Sequence, residues 1–146
     1  MNPEEALAKI LNEQVNGYRE LLELLQRERQ DLIDVNAGAI EELYKGKDVL
    51  ILRLRLLEEE RIRLMKDVGS NTMTLKALAE KTGNSAFLEL RSKLKSLVQA
   101  IEELNSFNRI LIDRSLGYLK TNAHFFNIFG MNEGRPQKGM LLSKET

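Results

Sequence analysis

Apolar residues return every third and fourth position along most of the chain, with charged residues between them, and that spacing is helical. In the first segment Leu7, Leu11, Val15, Tyr18, Leu22, Leu25 and Leu32 form one stripe, while Glu and Arg fill the other faces. Asn36-Ala37-Gly38 is the first weak point, and Asn36 is suited to cap a second helix. That helix carries Ile40, Leu43, Leu50, Leu54, Leu57, Leu64 and Val68. A single unbroken helix of about 65 residues would run to near 100 Å, so a hairpin is the favoured reading. Gly69-Ser70-Asn71 closes the second helix, and Thr72 or Thr74 opens a short one through Lys81. Thr82-Gly83-Asn84-Ser85 is another stop and start. From Ala86 to about Ile128 the pattern resumes as one long helix. Its stripe reads Phe87, Leu90, Leu94, Leu97, Ile101, Leu104, Asn108, Leu111, Ser115, Tyr118, Asn122, Phe125 and Phe129.

The expected fold is therefore all-α, an elongated antiparallel bundle of three long helices plus one short helix. Residues 1–129 form a single bundle domain, and 130–146, where the periodicity stops, form a flexible C-terminal tail. Pro3 and Pro136 are the only prolines, so none lies inside the helical span. Strand-like alternation is missing, as are internal repeats.

Composition narrows the function classes. A chain of 146 residues has the size of one domain, and 42% hydrophobic with 30% charged residues suits a folded helical protein. The 22 basic and 22 acidic residues cancel, so no global field draws nucleic acid or anionic membrane. There is no cysteine, which removes disulfides and thiolate metal sites and fits a reducing compartment. The start, Met1-Asn2-Pro3-Glu4-Glu5, is acidic where a signal peptide is basic and then apolar, and no apolar run is long enough to span a bilayer. The expected location is the cytoplasm, without stable membrane insertion.

Catalytic chemistry is poorly supplied. His124 is the only histidine, no glycine-rich phosphate loop occurs, and no Glu-x-x-His motif of the helical di-metal bundles is present. Glu58-Glu59-Glu60 and Glu102-Glu103 are sequence neighbours that point to different sides of a helix, and Glu58 through Arg63 reads as a solvated charged face. The sequence thus predicts a protein that is not an enzyme and uses no cofactor or metal.

Two features of the last helix depart from a plain bundle. Asn108, Ser115 and Asn122 fall at successive heptad positions of the stripe. Either they are buried and set register or partner choice, or the helix is straight and its drift turns them to solvent. The second feature is lost amphipathicity: between Ser115 and Gly130 the only formally charged residue is Lys120, and half of the eight aromatics lie in residues 118–129. Beside the first stripe runs a second, Ile112, Leu116, Leu119, Ala123 and Phe126. Two adjacent apolar stripes imply a second contact surface. Its occupant is a partner protein, the first helix or the tail folding back, or a second copy of the chain.

The stretch Leu104-Asn105-Ser106-Phe107-Asn108-Arg109-Ile110-Leu111-Ile112-Asp113-Arg114-Ser115-Leu116 resembles the Asn-x-x-Asn…Leu-Ile-x-x-Ser-Leu core of the FlgN family. Tyr18 through Glu28 with Asp34 and Leu43, and Lys47 through Leu57 with Glu58-Glu59-Glu60-Arg61, are similar to that family as well, so the resemblance covers roughly residues 7–143. It implies a bacterial cytoplasmic chaperone for flagellar type III export. Such a chaperone binds hook-associated (hook–filament junction) proteins, prevents their early assembly and delivers them to the export gate. In that family the C-terminal helical region carries the client. Asn108, Ile112, Leu116, Leu119, Phe126 and Phe129 are accordingly the expected partner-binding residues. Many relatives have a tyrosine just beyond the long helix, where this chain has Phe129 beside Gly130. The alternative is a structural coiled-coil or adaptor protein that self-associates, as a homodimer for instance, through the same residues.

Overall fold

In a computed structural model the chain forms four helices, α1 (Pro3–Ile33), α2 (Ala37–Val68), α3 (Leu75–Thr82) and α4 (Ala86–Leu119). The structure describes residues 2–69 and 73–119, the last five by their backbone alone. The three long helices and the short one between the second and third are those the spacing predicts. The expected continuation of α4 to Ile128 and the expected tail lie outside the described residues, as do His124 and Asn122.

The first three helices each start on a side-chain cap. Asn2 accepts from the Glu5 N–H at 2.9 Å with Pro3 in the first turn, Asn36 accepts from Ala39 N–H at 3.1 Å, and Thr74 accepts from Ala77 N–H at 3.1 Å. These bonds satisfy amide donors that a helix leaves open at its start. The stops are equally local. Gly83 ends α3 in the left-handed region at φ 70°, where glycine carries no steric penalty. Val35 does the same after α1 at φ 55°. Val35 N–H reaches the Leu32 carbonyl at 3.3 Å and Asn36 N–H reaches the Asp31 carbonyl at 3.0 Å, a Schellman arrangement with a β-branched residue in the glycine position.

α2 packs antiparallel on α1, and α4 packs on α1 and on α3. Asn108 meets Leu25 and Glu28, and one turn further on Ile112 joins the cluster around Leu32, so α4 runs alongside α1 in the same direction. The buried side of α1 reads Leu7, Leu11, Gln14, Tyr18, Leu21, Leu25, Glu28 and Leu32, an uninterrupted alternation of four and three. Leu21 therefore takes the place expected of Leu22, which is half-buried beside the core. Gly17 permits the close approach of α2: a Cβ there would stand 2.6 Å from Leu54 Cδ2.

Two polar residues complete the buried side of α2. Lys47 and Arg61 fill the gaps between Leu43 and Leu50 and between Leu57 and Leu64. This corrects the reading of Glu58 through Arg63 as a solvated face. Arg61 is fully buried, Glu58 is nearly so, and Arg61 Nε meets Glu58 Oε1 at 2.5 Å. Glu59 and Arg63 do face solvent. An arginine tolerates such burial because its fixed fork of donors can be satisfied by a carboxylate and its stem is apolar.

Candidate partner-binding surface

The predicted partner residues begin where α4 leaves the middle of the bundle. Asn108 is buried, and its Nδ2 donates to the Leu25 carbonyl at 2.9 Å and to Glu28 Oε1 at 2.8 Å. The other carboxylate oxygen of Glu28 accepts from Lys47 Nζ at 3.3 Å. One acidic side chain of α1 thus ties α2 and α4 together. Lys47 also lies over the Tyr44 ring, 5.7 Å from its centroid. Burial, and then the negative charge of Glu28, push the Tyr44 hydroxyl far above its ordinary range.

A second polar layer lies fourteen positions away along both α1 and α2, or about 21 Å at 1.5 Å per residue. Gln14 Nε2 donates to Glu58 Oε1 at 3.1 Å, and Arg61 closes on both oxygens of Glu58. Tyr18 is buried beside them. Burial, and then Glu58, raise its ionisation strongly, opposed by Arg61. Sequence reading misses both layers, Asn108 apart, because it puts Glu and Arg on the outer faces and leaves Gln14 and Lys47 out of the stripes. The uninterrupted 3–4 spacing was the signal that could have placed them inside.

Beyond Asn108, Leu111 and Ile112 pack half-buried on a small cluster of Leu32, Ile40, Leu43 and Tyr44 at the hairpin end of the bundle. Ile112 is thus partly engaged within the chain, and the carboxamide nitrogen of Asn108 wholly so. Leu116 and Leu119 stand on the last turns of α4, where only the backbone is described, and Phe126 and Phe129 lie outside the described residues. On the outer side of the same stretch Phe107 and Ile110 are exposed by 46% and 50%. Sequence reading missed these two because they lie off both stripes.

Among the described residues, no helix is long and apolar enough to cross a membrane, and no group of three or more His, Cys, Asp or Glu could hold a metal ion. What the geometry provides is helix faces with apolar side chains, on an all-helical bundle pinned by two buried polar layers. The chain belongs to the FlgN family, a family of flagellar export chaperones, whose family model, described as FlgN protein, matches residues 1–128. No curated protein and no solved structure matches the chain.

Proposed function

We propose that this chain binds hook-associated flagellar proteins in the bacterial cytoplasm, keeps them from assembling early and hands them to the export gate. The client, whose helical termini are poorly ordered when alone, packs on the stripe of Ile112, Leu116, Leu119 and Phe126, with Phe129 at its end, and becomes ordered there. Ordering consumes part of the interaction energy, which keeps the complex releasable. Asn108 acts from inside by holding α4 on α1 at the base of that surface. The observation that carries the reading is the aromatic-rich run from Ser115 to Gly130, with Lys120 its only formal charge, in a chain of this family.

The test is the mass of the complex formed with hook-associated proteins of the same organism. A discrete soluble complex, lost when Leu119 and Phe126 are both replaced by alanine while helicity stays, is the expected result. Unchanged affinity in that double variant overturns the proposed surface.

A further inference from the structure

The side of α2 turned away from α1 is apolar at its centre. Val49, Leu52 and Leu56 are exposed by 70%, 52% and 55%, and their spacing puts them in one row. Leu50 and Leu54, on the opposite side of the same turns, are buried in the core. An exposed ion pair bounds the row at each end, Glu42 with Lys45 at 3.2 Å before it and Glu60 with Arg63 after it. In both pairs the acid precedes the base by three residues. Gly46 lies one turn before Val49, at the flank of this face, and a Cβ there would meet nothing within 4 Å. Glycine weakens a helix interior, and the packing of this chain does not require one at that position.

We propose that this face joins two copies of the chain, α2 against α2, antiparallel about a twofold axis near Leu52 and Arg53. Such an axis lays the start of the row on the end of its copy. Val49 then meets Leu56 of the second copy, Glu42 meets Arg63, and Lys45 meets Glu60. All four charged positions face opposite charge, whereas a parallel pairing would set each against its own kind. The flanking charges balance, two acidic and two basic, which disfavours an anionic lipid surface as the occupant. Three apolar side chains per copy make a small interface, so association belongs in the micromolar range rather than the nanomolar.

Sedimentation equilibrium of the full chain from low to high micromolar concentration tests this. The expected mass rises from 16.7 kDa towards twice that value. Leu52→Glu keeps the chain monomeric throughout, with helicity and unfolding midpoint retained. Lys45→Glu weakens dimerisation tenfold or more, and adding Glu60→Lys restores it. A monomer at every concentration, a dimer indifferent to Leu52→Glu, or a double variant no better than Lys45→Glu alone each overturns the proposal. The proposed client surface lies on α4, so Leu52→Glu leaves client binding intact and the two readings fail separately.

Discussion

Asn108 of α4 donates to the buried carboxylate of Glu28 in α1 at 2.8 Å, and that carboxylate is already held by Lys47 of α2. Three helices therefore meet on one side chain, with little water to compensate if a partner is removed.

Asn108→Leu removes both donated bonds while filling similar volume. A loss of about 1–3 kcal/mol is expected, because Glu28 then keeps a single buried partner. Urea unfolding checks this, with an unchanged slope showing that the extent of unfolding is the same.

Lys47→Met leaves the Glu28 carboxylate buried with Asn108 alone, and breaking a buried pair from one side costs about 3–5 kcal/mol. Replacing Glu28 by leucine in the same chain should recover most of that loss. A double variant as unstable as the single one would show that the pair stabilises little beyond shape.

Glycines supply an opposed pair of outcomes. Gly17→Ala drives a Cβ to 2.6 Å from Leu54 Cδ2 in the closed core, so a net loss on the order of 1 kcal/mol is expected after the gain in helix propensity. Gly46→Ala meets nothing in the monomer and should gain about 0.5–1 kcal/mol in dilute solution. Val35→Gly likewise relieves a β-branched residue at φ 55° and should raise the thermal midpoint.

Alkaline pH should unfold the bundle through two of its three tyrosines. Tyr18 and Tyr44 have folded-state ionisation raised well above the ordinary value of 10.0, chiefly by burial. Below about pH 10 both states keep these protons and the stability is fully present. Above it the unfolded chain releases protons that the folded chain retains, so stability falls as pH rises. Tyrosinate absorbance for these two residues should appear together with loss of helical circular dichroism, not ahead of it.

Much of this architecture is legible in the residue order. Asn36 as cap, Gly83 as stop and the leucine stripes follow from local chemistry that a sequence displays directly. The polar layers did not follow, because burial of Arg61 depends on Glu58 and Gln14 converging from two helices, a tertiary fact. Spacing alone leaves Asn108 open between core and solvent, and a carboxylate eighty positions earlier decides it. The outer row of α2 was invisible for a related reason: which side of a leucine-rich helix is surplus depends on which side its neighbour covers.

Repetitive leucine stripes have a weakness that these charges remove. If α2 slid along α1 by seven positions, leucine would still meet leucine nearly everywhere. Lys47, however, would be carried off Glu28 and onto a position such as Leu21, a cation stranded in hydrocarbon, while Glu58 would lose the Gln14 amide that meets it from α1. The penalty applies at both levels at once, so a misthreaded hairpin cannot settle into a long-lived trap and is returned for another attempt.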